Sequence, residues 1–214
     1  MVETLKSIWQ GKTILRTKMH QALETFSISG EVVDVGGGRS PEYFKHFKST
    51  TNANVTPVDL SLKNQEGITL DLETDNLPFD DDSTDFVLMF NLLEHIYNYR
   101  HVVGETYRIL KTSGQLIGFV PFLIQYHPDP HDYFRYTKES LRKILKEAGY
   151  IHIEIKEVGG GPFLANFNNI VLSIPKVCRV FVYPFYACMD YLFLKLRPKA
   201  KERYPLGYVF MGEK

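Results

Sequence analysis

The stretch DVGGGRS at 34–40 sets three glycines between an apolar, β-branched run and a segment that opens on Pro41. Glycines at such a turn let the backbone approach a ligand closely, and a helix beyond them offers unpaired N–H groups. A dinucleotide fingerprint would need a glycine three positions after Gly38, where Pro41 stands, so a nicotinamide cofactor is disfavoured. Asp59 closes a second apolar run, VTPVD, 25 residues after Asp34. A carboxylate there has two acceptor oxygens, enough for both hydroxyls of a ribose. A third group sits in PFLIQYHPDPHDYFRYT at 121–137. Its imidazoles titrate near neutral pH, which makes His127 and His131 candidate general bases. Read as metal ligands, His127, Asp129, His131 and Asp132 match no closed zinc spacing, and neither Cys178 nor Cys188 joins them. No metal is expected.

Periodicity supplies the elements that must position these groups. Residues 3–26 read as one amphipathic helix ended by Gly30, followed by a short buried strand at 31–35. Pro41 suits the first turn of a helix reaching about residue 48. Further strands are predicted at 54–58, 67–70, 85–90, 115–120, 150–157 and 208–211. The run DFVLMF at 85–90 is nearly continuous, as in a strand buried on both faces. Helices are predicted at 99–110, with a break at Ser113-Gly114, and at 137–148, capped by Thr137 and stopped by Gly149. Strands alternating with helices imply a mostly parallel sheet covered on both sides. In such a sheet the ligand crevice lies at the carboxyl ends of the strands, where the glycine loop, Asp59 and the 121–137 loop all fall.

In this order and spacing, Asp34, Gly36, Gly38 and the small Ser40 resemble motif I of class I S-adenosylmethionine-dependent methyltransferases. Asp59-Leu60 after the second strand, Asp71-Leu72 after the third, and LPFDDDSTDFVLMFNLLEHI at 77–96 extend the likeness to the methyltransferase-11-like branch. It covers about residues 30–157, with YPLGYVFMGEK as a final strand. The resemblance implies an α/β, Rossmann-like fold: a seven-stranded mixed sheet, helices on both faces, and a helical insert before the last strand. It implies S-adenosyl-L-methionine as cofactor, held by Asp34, Gly36, Gly38, Asp59, Leu60, Asp71, Leu72 and Asn91. Asp71 then meets the adenine amino group, the backbone of Leu72 the ring, and Asn91 the methionine end. Asp34 has an equal alternative, ordering the glycine loop through hydrogen bonds. His95 reads either as a substrate contact or as a packed residue at a helix start. The DYFRYT segment resembles methyltransferases associated with glycan or lipopolysaccharide assembly, which makes Tyr133, Arg135 and Tyr136 substrate contacts. For Arg135, pairing with an acid to fix the loop is the equal alternative. The implied activity is methylation of a small-molecule or glycan-type acceptor, on oxygen. A non-catalytic partner- or membrane-binding protein on the same fold is the alternative, and the intact glycine loop and Asp59 argue against it.

Composition bounds the rest. The chain has 214 residues, 44% hydrophobic and 23% charged, with 25 bases against 25 acids. That balance excludes a disordered chain and leaves no global basic field for coating nucleic acid. Two isolated cysteines suit a reducing compartment, and the first residues lack a secretory pattern, so a cytoplasmic protein is expected. The chain divides into an N-terminal helical segment (1–29), a cofactor-binding core (30–157), an apolar insert (158–203) and the last strand (204–214). Between Val158 and Leu194 only Lys176, Arg179 and Asp190 are charged, amid eight Phe or Tyr, and the bases Lys195, Arg197, Lys199, Lys201 and Arg203 follow. Glycines, prolines and asparagines interrupt the insert, making it a poor membrane span and suggesting two or three short helices. It must cover something: the core, a second subunit in a homodimer, or the inner membrane face as a peripheral contact.

Overall fold

The computed structural model describes residues 2–38, 42–60, 62 and 67–214. Helices α1 (Val2–Trp9) and α2 (Ile14–Leu23) precede strands β1 (Gly30–Val35), β2 (Ala53–Val58) and β3 (Thr84–Phe90). Helix α3 (Tyr99–Ile109), β4 (Leu110–Pro121), α4 (Lys138–Ala148) and β5 (Ile151–Gly159) complete the core. The insert contributes α5 (Pro162–Ile170) and α6 (Lys176–Leu196) before β6 (Pro205–Glu213). The sheet order is β2-β1-β3-β4-β6-β5, with β1 to β4 parallel and β6 antiparallel to both neighbours. The predicted Rossmann-like architecture holds, with six strands among the described residues where seven were expected.

The missing strand is 67–70, which makes a single bridge, Val58 to Ile68. Ile68 donates to the Pro57 carbonyl and Asp59 to the Ile68 carbonyl. Pro57 has no amide to continue the ladder, so pairing stops there. The expected single N-terminal helix is two, because Gly11 turns with φ +89° and Thr13 recaps the chain by accepting from the Arg16 amide. Where a helix was expected from Pro41, the described part is a short 3₁₀ turn, Glu42–His46, and Pro41 and Ser40 lie outside the described residues. The break at Ser113-Gly114 is a bulge inside β4, with Ser113 at φ +66°.

Side-chain alternation decides which layer each strand feeds. Val33, Val35, Val87 and Met89 face the layer of α3 and α4. Val32, Leu88 and Phe90 face that of α2 and the 3₁₀ turn. A third cluster, with Ile8, Ile14, Phe167, Val171 and Tyr183, joins α1 and α2 to the insert. The insert holds the short α5, as expected, but α6 runs 21 residues through Pro184 where a further short helix was expected. By length and composition it suffices to cross a membrane, contrary to the expectation of a poor span. One side of it is nevertheless tied to the body. The buried Asp190 accepts from the amides of Gly161, Phe163 and Leu164, and so caps α5 from outside.

Candidate functional site

The cofactor half of the site grows from the ends of β1, β2 and β3. Gly36 and Gly38 adopt left-handed conformations, φ +76° and +55°, which only glycine enters at little cost. The Gly36 amide donates to the Val58 carbonyl at 2.8 Å, tying the loop to β2. A side chain at Gly36 would strike Leu92, and one at Gly37 would strike the Asp34 carboxylate. Among the described residues, the nearest obstacle to a side chain at Gly38 would be Asp59 Oδ2, 3.9 Å away, so the space on that side opens towards Asp59. Leu60 stands exposed beside Asp59. Asn91 ends β3 at φ +50° with its side chain exposed, anchored by its amide to the Phe119 carbonyl. Open backbone, an acceptor carboxylate and an exposed amide side chain at neighbouring strand ends fit a nucleoside carrying an amino-acid tail.

Of three further expected contacts, Asp34 sits differently. Asp34 is fully buried beneath the loop, and both carboxylate oxygens take the Tyr43 hydroxyl at 2.5 Å. Burial pushes its pKa up to about 7, and the Tyr43 phenol is lifted well above its usual range. Asp34 therefore orders the loop and does not face the cleft. Leu72 is buried in the core, leaving its backbone for any ring contact. Asp71 is exposed on the turn after the single bridge, where its carboxylate accepts from the Glu73 amide.

A cavity of about 450 Å³ lies beside Asn91. His95, Phe119, Gln125 and His127 line one side, and Lys12, Thr13, Arg16 and Asn168 line the other. The 121–137 loop is pinned at its start, where the Phe122 amide donates to the Leu206 carbonyl at 2.7 Å, and again at its end. The Glu94 carbonyl accepts from the Tyr133 amide at 2.7 Å, and the Tyr136 hydroxyl donates to the Leu93 carbonyl. Tyr136 is thus a buried packing residue, with its phenol pKa raised by burial, and not an exposed substrate contact. Arg135 grips both oxygens of Asp132 and the Gln125 carbonyl, which is the loop-fixing alternative. This guanidinium holds the Asp132 carboxyl down at about 2. Tyr133 is exposed and packs on Tyr97 and His131.

The two candidate bases part company. His131 is exposed, and its carbonyl engages the His95 Nδ1. His127 lines the cavity, with Nε2 3.8 Å from Glu94 Oε1 and Nδ1 3.5 Å from Asp132 Oδ2. The Glu94 carboxylate raises its pKa above the ordinary imidazole value. Sequence reasoning missed Tyr43, Lys12, Thr13, Arg16 and Asn168, none of which carries a local motif. Glu94 stands in the sequence only inside LPFDDDSTDFVLMFNLLEHI, beside His95, and that Glu-His step is the one local signal for it.

The comparisons with known proteins agree with this construction. Residues 33–118 match the family model described as a methyltransferase domain. A probable S-adenosylmethionine-dependent methyltransferase of Mycobacterium tuberculosis is 28% identical over 98 residues, 43% of this chain and 36% of that relative. The match thus spans little more than a third of the relative's length. A methyltransferase structure from Archaeoglobus fulgidus superposes with TM-score 0.62 at 16% identity, covering 100% of both chains. Haemonchus contortus phosphoethanolamine N-methyltransferase 2, solved with S-adenosylmethionine, gives 0.54 at 15%, over 92% of this chain and 52% of its own. The fold is that of the class I methyltransferases. Residues 33–118 are thus similar to the methyltransferase domain and to relatives named as S-adenosylmethionine-dependent methyltransferases.

Proposed function

We propose that this chain transfers a methyl group from S-adenosylmethionine to a hydroxyl of a small-molecule or glycan-type acceptor. The observation that carries the reading is the cavity at Asn91. It adjoins the strand ends that would hold the cofactor's methionine part, and Lys12, Thr13, Gln125, Asp129 and Asn168 give it a polar lining. With Phe119, Ile124 and Leu172 also in the walls, the cavity suits an acceptor that carries several hydroxyls on a partly apolar ring or chain.

When bound, the cofactor supplies a methyl group on a positively charged sulfur. The glycine loop and Asp59 would hold the nucleoside, and Asn91 the other end. The pinned 121–137 loop and the α1–α2 turn would orient the acceptor and keep water out. Positioning of this kind is worth roughly 7–11 kcal/mol of barrier. Activation of the hydroxyl falls to the group around His127, the candidate base that lines the cavity. Incubation with tritiated S-adenosylmethionine and a panel of sugar nucleotides, oligosaccharides, phenols and amines tests the reading. Label in hydroxyl acceptors is expected. Label confined to amines would overturn the oxygen assignment, and no label in any acceptor by a protein that binds S-adenosylhomocysteine would favour the non-catalytic alternative.

A further inference from the structure

Glu94, beside the cavity-lining His95 and His127, is an anomaly. Its side chain is completely buried, yet neither carboxylate oxygen has a hydrogen-bond partner. A buried, unpartnered carboxylate is strongly disfavoured unless a cation compensates it. Two imidazoles turn towards it, His95 Nε2 at 3.7 Å and His127 Nε2 at 3.8 Å from Oε1. These separations are too long for direct hydrogen bonds. One ligand atom from each residue lies within 4.8 Å of the others. A slight inward closure would put all three near 2.1 Å from one central point, the usual distance of N and O ligands from zinc.

The outer nitrogens of both rings are already engaged, as is usual behind a metal-bound histidine. His95 Nδ1 meets the His131 carbonyl. His127 Nδ1, when protonated, faces two acceptors, the Asp132 carboxylate at 3.5 Å and the Gln125 carbonyl at 3.3 Å. That leaves both Nε2 atoms to the interior. We infer that Glu94, His95 and His127 form a binding site for one divalent transition cation of the zinc type, open towards the cavity. Two histidines and one carboxylate leave coordination positions free, where an acceptor oxygen would enter. The set differs from the 127–132 residues whose spacing argued against a metal. It pairs a Glu-His step after β3 with a histidine 32 residues later, a combination that only the fold reveals.

The cation's part in turnover rests on the proposed methyl transfer, whereas its binding does not, and the test separates the two. Untagged protein, stripped with chelator and dialysed, is titrated with Zn²⁺ and separately with Mn²⁺ by calorimetry, beside Glu94→Gln and His127→Ala. Parallel titrations with S-adenosylhomocysteine report the cofactor site. One saturable equivalent is expected in the wild type, weakened at least tenfold in either variant, with S-adenosylhomocysteine affinity kept within threefold. No saturable binding of either cation, or unchanged binding in both variants, would overturn the site. His127 is partly exposed, so its variant keeps the test decisive even if Glu94→Gln folds poorly. Failure to bind S-adenosylhomocysteine would count against the methyl-transfer reading and leave the cation result standing.

A separate observation concerns α6. Its outward face carries Val177, Phe181, Phe185, Leu192 and Leu196, from 50% to 83% exposed, with Tyr191 alongside and Leu172 just ahead. Lys176 lies at one end, and Lys195, Arg197 and Lys199 at the other, all exposed. Asp190, the single acid of the helix, is turned inward and buried. We propose that this face rests in the plane of an anionic bilayer, its apolar stripe among the acyl chains and its bases at the headgroups. A second copy is a poorer occupant, because an isologous contact would bring one all-basic rim against another. Co-sedimentation of the full chain with phosphatidylglycerol and with phosphatidylcholine vesicles, at low and high salt, tests this. Binding to the anionic vesicles that fades with salt, and is lost in the exposed-face variant Phe181→Asp/Phe185→Asp, is expected. Failure to bind, equal binding to neutral vesicles, or a concentration-dependent dimer that the variant dissociates would overturn it.

Discussion

Asp34→Asn measures what the buried carboxyl under the glycine loop costs the fold. The unfolded chain ionises this group near its usual 3.8, whereas the folded protein keeps the proton until about 7. Between those values folding takes up a proton, so the wild type loses stability as pH rises and levels off above the folded value. At about 1.4 kcal/mol per tenfold in proton affinity, the loss from pH 5 to pH 8 is about 3 kcal/mol. Asparagine still accepts from the Tyr43 hydroxyl and never ionises. All other titrations are common to both proteins and cancel in the difference. Urea melts of both proteins at pH 5, 6, 7 and 8, without cofactor, should show the variant gaining about 3 kcal/mol on the wild type across the series. Parallel stability curves would mean that Asp34 ionises in place at little cost, and would refute the account of the loop as seated on a neutral carboxyl.

Gly37→Ala should lower S-adenosylhomocysteine affinity at least tenfold with the circular dichroism spectrum unchanged, because the added methyl collides with Asp34; unaltered affinity would show that the loop can shift freely. Asp190→Ala removes the acceptor for the Gly161 amide and two amides in the first turn of α5 and should cost about 1–2 kcal/mol in urea unfolding while sparing cofactor affinity. Arg135→Ala frees Asp132 and the Gln125 carbonyl, so limited proteolysis should cut within 121–137 several-fold faster. An unchanged digestion rate would remove Arg135 from its loop-fixing role.

The parts legible in the sequence were those with local causes. Thr137 and Gly149 bracket α4 as their cap chemistry requires, Thr137 accepting from Ser140 and Gly149 turning at φ +109°. DFVLMF is the central strand β3, and the glycine loop follows β1. What escaped were outcomes of tertiary choice. Nothing near Asp34 announces Tyr43, nine residues on, as the donor that pairs with it. The edge position of β2 and the absent amide of Pro57 decide that 67–70 is a bridge and not a strand. Pro184 marked a helix end on local grounds, but packing of Tyr183 and Tyr186 on Phe167 carries α6 past it. Glu94 did not stand out beside His95, because its burial and empty valences depend on a loop more than thirty residues away.

The central claim is that the strand-end crevice between Gly38 and Asp59 holds the nucleoside of S-adenosylmethionine. Calorimetric titration of wild type and Asp59→Ala with S-adenosylhomocysteine, with the nicotinamide dinucleotides as controls, tests it most directly. The account predicts wild-type binding, weaker by about 1.5–3 kcal/mol in the folded variant, the range for hydrogen bonds to a charged group, and none for the dinucleotides. Equal affinity in the two proteins, or preferential binding of a dinucleotide, would contradict it.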